Sequence, residues 1–187
     1  MRRYIYFVFL LCCAVNLLLT SCVRQKYVVM DMVHHNPGEA MTESKFLDPS
    51  FLKKNEYGAK VFFLFEAAQF GIDWKSFDPS LFPDTTEAGR WVAEKAEIIH
   101  KKYDAAKKED LQVYCMLDML VLPSLLVEKH RTELTNEQGK LDISKPYTQL
   151  CIRELMKEMF ETFPQLDGLV IRTGETYLRD APYYVGN

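Results

Sequence analysis

Four apolar, β-rich runs alternate along this chain of 187 residues with segments in which apolar residues recur at helical spacing. The runs predict strands at residues 26–33, 59–66, 111–118 and 166–172. Strands that alternate with helices form parallel sheets with right-handed crossovers. The predicted fold class is therefore α/β, with about four parallel β/α units.

Three helices are predicted between the strands, each from a start signal and a stop signal. The first helix is predicted to start at an N-cap, Asp48, followed by Pro49. The second starts at a capping box from Asp84 to Glu87, and the third at the cap Ser144 with Pro146 in its first turn. The corresponding stops are Gly58, about Lys107, and Pro164.

The strand-to-helix turns bear on two architectures, an open doubly wound sheet and part of a (β/α)8 TIM-like barrel. The first turn, HHNPGEAMTESKFLDP, lacks G-x-G-x-x-G, so a dinucleotide fingerprint is absent. The turns after the first three strands are long and the returns are short, which favours a barrel whose loops build an active site. Four strands are half of a barrel, so residues 27–187 are expected to be the N-terminal half of a truncated or interrupted product.

The N-terminus predicts a lipoprotein signal. Arg2 and Arg3 precede an apolar stretch that ends in LTSC, with Cys22 as its last residue. LTSC resembles the bacterial lipobox, in which cleavage occurs before a cysteine that is then acylated. We expect a signal peptide at 1–21, a lipidated tether at 22–26, and a chain held at the outer membrane of a bacterial envelope through Cys22.

The cysteines, the net charge and one aromatic loop give further expectations about disulfides, partners and ligands. Cys115 and Cys151 would remain after processing; they permit one disulfide, but their places in a predicted strand and helix favour buried free thiols. A net charge of −3 gives no reason to expect nucleic acid as a partner. Three aromatic residues of one loop could stack on a pyranose or pack locally: Trp74, Phe77 and Phe82.

Candidate site residues follow the carboxyl ends of the predicted strands. They are His34, His35, Asn36, Glu66, Asp118, Arg172 and Glu175. Neighbouring strand residues point apart, so His34 and His35 indicate substrate positioning rather than metal ligation, and no cofactor is expected. Glu66 and Asp118 suit sugar hydroxyls, helix caps or ion pairs equally.

Glu175 is the candidate catalytic residue. It follows Gly174, which permits a tight turn, and a carboxylic acid of raised pKa could protonate a leaving group. Arg172 is expected to orient it. The alternative is a solvated glutamate paired with Arg172 or Arg179.

Three stretches carry a family resemblance: VVMDMVHHNPGE, CMLDMLVLP and, most specifically, FPQLDGLVIRTGE. They resemble the N-terminal half of the catalytic barrel in bacterial α-glucuronidase-like glycoside hydrolases. The resemblance implies a carbohydrate partner and places Glu175 at the general-acid position. The family's base carboxylates come from later strands, which this chain does not contain.

The resemblance therefore implies a glycoside hydrolase fragment for uronic-acid-bearing polysaccharide or oligosaccharide, inactive alone unless a second polypeptide completes the barrel. Two alternatives stay open. One is a non-catalytic carbohydrate-binding or envelope-associated lipoprotein. The other is a metal-dependent hydrolase built on His34 and His35.

Overall fold

The computed structural model describes residues 28–31, 44–63, 66–172, 176, 178 and 180–187. The strands are β1 (Met30–Asp31), β2 (Ala59–Phe63), β3 (Gln112–Asp118), β4 (Val121–Pro123), β5 (Gly168–Arg172) and β6 (Tyr184–Gly186). The helices are α1 (Pro49–Lys54), α2 (Glu87–Lys108), α3 (Ser124–Lys129), α4 (Arg131–Leu134) and α5 (Pro146–Thr162). The predicted α/β class is confirmed.

The main sheet has four strands in the order β1-β2-β3-β5, and every pair is parallel. Sheet order follows chain order, so the described strands contain no point at which the winding reverses. The strands predicted at 59–66, 111–118 and 166–172 are confirmed with shorter bounds. The first predicted strand is seen at β1, and its flanking residues 26–27 and 32–33 lie outside the described residues.

The helix start signals had mixed outcomes. Asp48 caps α1 as predicted, because its Oδ1 accepts a hydrogen bond from the Ser50 N–H at 2.9 Å. The predicted capping box from Asp84 to Glu87 is wrong. Thr86 caps α2 instead, and its Oγ1 accepts from the Gly89 N–H at 3.0 Å.

The third predicted cap is also wrong. Position Lys145 precedes the first turn of α5 and makes no side-chain capping bond, while the Ser144 hydroxyl donates to Asp142 Oδ1 at 2.7 Å. Pro146 does occupy the first turn. Its fixed φ and missing N–H suit that position without a side-chain cap.

The core lies between the sheet and the helices α2 and α5. Val113, Cys115 and Leu117 alternate along β3 and are fully buried. Tyr103 of α2 packs with its ring centroid 4.8 Å from Phe62 of β2. The face of the sheet that carries Cys115 and Leu117 is therefore the helix-covered face.

Both cysteines predicted as buried free thiols have that state. Cys115 and Cys151 are buried and form no disulfide. Burial raises the pKa of each thiol to about 11. At neutral pH both are therefore protonated and act as small apolar side chains.

A second, antiparallel sheet of β4 and β6 was not predicted. Leu122 pairs with Val185, and Pro123 with Tyr184. The buried Tyr184 hydroxyl donates to the carbonyl of Gln69 at 3.2 Å. The segment that contains β6 is thereby held against the loop after β2 and against β4, which follows β3.

The predicted signal at 1–21 and the predicted acylation site Cys22 lie outside the described residues. Among the helices that are described, none combines the length and apolar composition needed to cross a bilayer.

Candidate functional site

An ion pair joins the carboxyl ends of two neighbouring strands. Asp118 is the last residue of β3 and Arg172 the last of β5, and the parallel register sets them side by side. Arg172 Nε donates to Asp118 Oδ1 at 2.6 Å, and Nη2 donates to Oδ2 at 2.9 Å. The bidentate geometry fixes the plane of the guanidinium.

Burial of this pair is unequal. The Asp118 side chain is 4% exposed, whereas that of Arg172 is 25% exposed. Because strand residues alternate, both lie on the face opposite Cys115 and Leu117, away from the helices. The pair thus presents an oriented, partly accessible guanidinium at the carboxyl edge of the sheet.

Glu66, the third described candidate, lies in a different environment. Its carboxylate pairs with Lys102 of α2, and its carbonyl accepts from the Tyr103 hydroxyl at 2.8 Å. It also borders a small cavity of about 150 Å³ whose lining includes Lys60 and Phe62. Glu66 therefore joins the turn after β2 to α2.

Four predicted site residues lie outside the described residues. These are the substrate-positioning candidates His34, His35 and Asn36 and the catalytic candidate Glu175. Arg172, predicted to orient Glu175, is held by Asp118 in the structure. That pairing was missed because it depends on the register between strands far apart in sequence.

The aromatic residues of the loop after β2 pack locally. Trp74 and Phe82 are buried, and Trp74 has its ring centroid 6.0 Å from that of Phe77. Phe82 stacks on Tyr184 at 5.7 Å. Of the two interpretations of this loop, local packing is the one that the structure shows.

A surface groove of about 340 Å³, here called the loop groove, is lined largely by segments that follow the carboxyl ends of β2 and β3 in the chain. Its lining comes from the loop after β2, from the first turn of α2, from α3, and from the segment before β6. It includes Phe82, Pro83, Ser124, Leu125, Glu128 and Tyr183. Sequence reasoning missed this groove, and its only sequence signal is the aromatic pair in APYYVG.

A buried carboxylate lies among the helices. Glu158 of α5 accepts a short hydrogen bond from the Ser76 hydroxyl. Burial raises the pKa of Glu158, and the hydrogen bond opposes that shift without cancelling it. Because Glu158 lies on α5 and Ser76 in the loop after β2, this hydrogen bond links the helix to that loop.

No group of three or more His, Cys, Asp or Glu side chains suited to a metal ion occurs within the described ranges. His34 and His35, the basis of the metal-dependent alternative, fall outside those ranges.

Comparison with known proteins gives little further information. No family model matches the chain, and no curated protein matches it. Among solved structures, the chain is similar to a noncanonic maltogenic alpha-amylase, AmyB, from Thermotoga neapolitana, which is a glycoside hydrolase, with a TM-score of 0.45 and 15% identity. The match covers 81% of this chain and 40% of that chain, so this chain spans less than half of the amylase's length.

Proposed function

We propose that this chain is the N-terminal part of a (β/α)8 glycoside hydrolase barrel that acts on uronic-acid-bearing polysaccharides or oligosaccharides. The observation that carries the proposal is the parallel sheet wound in chain order, with Asp118 and Arg172 at the carboxyl ends of adjacent strands. In β/α barrels, catalytic residues come from this end of the strands.

The exposed surface of β5 supports a barrel that continues beyond this strand. Within the described residues, β5 pairs with β3 along one edge and no strand pairs with its other edge. Ile171 lies on the helix-covered face of the sheet, yet it is 48% exposed. A further β/α unit would pair with this edge and cover Ile171, and we propose that a second polypeptide or a longer chain supplies it.

The chemistry follows from the residues at and beyond the end of β5. Glu175 follows Arg172 by three positions and is proposed as the general acid that protonates the glycosidic oxygen. The guanidinium of Arg172, oriented by Asp118, suits recognition of a uronate carboxylate. His34, His35 and Asn36 are proposed to position the sugar. Hydrolysis also needs a second carboxylate across the bond, which the completing part would provide.

The proposal includes an envelope location. The apolar stretch ending in LTSC supports acylation of Cys22 and attachment of the chain to a bacterial membrane. Mass spectrometry of the mature N-terminus tests this part alone. A diacylated cysteine is expected, and cleavage at another residue would contradict it.

The catalytic part is tested in a joined protein, made of this chain followed by whatever β/α units the DNA downstream of it encodes. The joined protein should release uronic acid from oligosaccharides, and the chain alone should not. Glu175→Gln should remove hydrolysis, by about 10²–10⁴-fold or more, and should leave binding nearly unchanged. Glu137→Gln, at an exposed loop position, is the matched control.

Two outcomes would overturn the proposal. Unchanged turnover in Glu175→Gln would make this residue an ordinary loop glutamate. Binding of the oligosaccharide without hydrolysis in the joined protein would favour the alternative, a non-catalytic carbohydrate-binding lipoprotein.

A further inference from the structure

The loop groove is built from four segments that the fold holds together. The Ser124 N–H donates to the carbonyl of Tyr183 at 2.8 Å, which ties the start of α3 to the segment before β6. Pro123 and Tyr184 are paired residues of the small sheet directly beside this bond. The two sides of the groove therefore have a fixed separation, as ligand sites generally do.

The floor and walls of the groove are largely apolar. Leu81 and Phe82 are buried beneath it, and Leu125 is 38% exposed at its side. Tyr183 lines the groove and is half-buried, with its ring held edge-on against Trp91 at 5.7 Å. A rigid aromatic side chain at the wall gives contact area at low entropic cost.

The polar side chains in the described lining of the groove can accept hydrogen bonds, and none of them is a cation. Glu128 and the Ser124 hydroxyl are part of the lining, and the described lining residues include no lysine or arginine. The nearby Lys129 is occupied by Asp78, at 2.9 Å, and by Ser80. Burial, and then the Glu87 carboxylate, raise the pKa of Tyr183, and the Arg90 guanidinium opposes that shift.

We infer that the loop groove is a subsite for an uncharged sugar ring of the glycan, an inference that rests on the proposed function for its ligand class. The weakly polar C–H face of a pyranose packs on apolar and aromatic surface, and its hydroxyls donate to carboxylate oxygens. The Glu128 carboxylate would repel a uronate, and no lysine or arginine of the described lining offsets it, so the charged sugar belongs near Arg172 and its neutral neighbour belongs here. A wholly apolar ligand would instead strip water from Glu128 without replacing its hydrogen bonds.

Binding of neutral oligosaccharides to the chain tests the inference without any need for hydrolysis. The probes are xylotriose, cellotriose and maltotriose, with glucuronic acid as the charged comparison, titrated by calorimetry. At least one neutral trisaccharide should bind, and glucuronic acid should not compete with it. Leu125→Trp, which fills the groove, should abolish binding, whereas Ile98→Trp at an equally exposed position on α2 should not.

Tyr183 provides the second arm of the test. Tyr183→Ala should weaken binding roughly tenfold, and Tyr183→Phe, which keeps the ring, should largely retain it. Circular dichroism would confirm that each variant is folded. Binding that is unaffected by Leu125→Trp, or absent for all three trisaccharides, would overturn the subsite.

The outcome separates this inference from the proposed function. Hydrolysis by the joined protein with unaltered binding in the groove variants would reject the subsite and leave the enzyme. Groove-dependent sugar binding with no hydrolysis by the joined protein would reject the enzyme and leave the subsite.

Discussion

Replacing Arg172 should destabilise the chain more than replacing Asp118, although both changes break the same ion pair. Arg172→Met removes two charge-assisted hydrogen bonds from a carboxylate that is 4% exposed, and we expect a loss of about 3 kcal/mol in the free energy of unfolding. Asp118→Ala leaves a guanidinium that is already 25% exposed and can reach water, so we expect about 2 kcal/mol.

The double variant should cost less than the two single losses together. With both charges absent, neither is left in a poorly solvated site, and we expect a loss of about 2.5 kcal/mol. The coupling free energy between the two side chains is then about 2–3 kcal/mol. An exposed pair provides the contrast: Lys101 Nζ and Glu97 Oε1, on one face of α2, lie 2.5 Å apart and should couple far more weakly, because water screens both charges.

Urea unfolding followed by far-ultraviolet circular dichroism gives all four free energies of the cycle. Equal slopes of the unfolding curves would show that the compared states are the same. A coupling no larger than that of the exposed pair would refute the argument, because it would mean that the carboxylate of Asp118 is as well solvated as one on a helix surface.

Three further results are expected. Burial raises the pKa of Glu158 above its ordinary 4.5, so its contribution to stability is present below that value and is lost as the pH rises through the raised pKa. At pH values above the raised pKa, Glu158→Gln should therefore raise the urea midpoint, and the midpoint should fall less steeply as the pH rises; an unchanged pH profile would contradict this. Gly89→Ala should lower the free energy of unfolding by about 1–3 kcal/mol despite the better helix propensity of alanine, because the alanine Cβ would lie 2.1 Å from the Pro83 carbonyl oxygen. An increased free energy of unfolding would show that the loop moves aside easily. Cys115 and Cys151 should resist an aromatic disulfide reagent in the native protein and react in urea, as peptide mass spectrometry would show; rapid native labelling would disprove their burial.

Much of the main sheet could be predicted from sequence because its strands are short, nearly continuous runs of apolar, β-prone residues. The runs at Ala59 and Leu111 coincide with β2 and β3 to within a few residues. The sheet of β4 and β6 could not be predicted in this way. Each of its strands has three residues, too few to show a period, and their pairing joins distant parts of the chain.

In the candidate site too, features set by local sequence could be predicted and features set by strand pairing could not. The positions of Asp118 and Arg172 at strand ends were predictable from local sequence, but their bidentate bond was not, because register is a property of two strands together. Tyr183 and Glu128 were missed for a related reason. Neither follows a predicted main-sheet strand directly, and the groove between them exists only once β6 has paired.

The pairing of β4 with β6 also sets an order of assembly during synthesis. Each main-sheet strand can add to a neighbour that has already been made, since chain order and sheet order agree. β4 has to wait for Tyr184–Gly186, so Leu122 and its neighbours lack their strand partner in the emerging chain until Tyr184–Gly186 have left the ribosome. A chain truncated before Tyr184 should hence display this apolar segment to chaperones, although it contains every described strand of the main sheet.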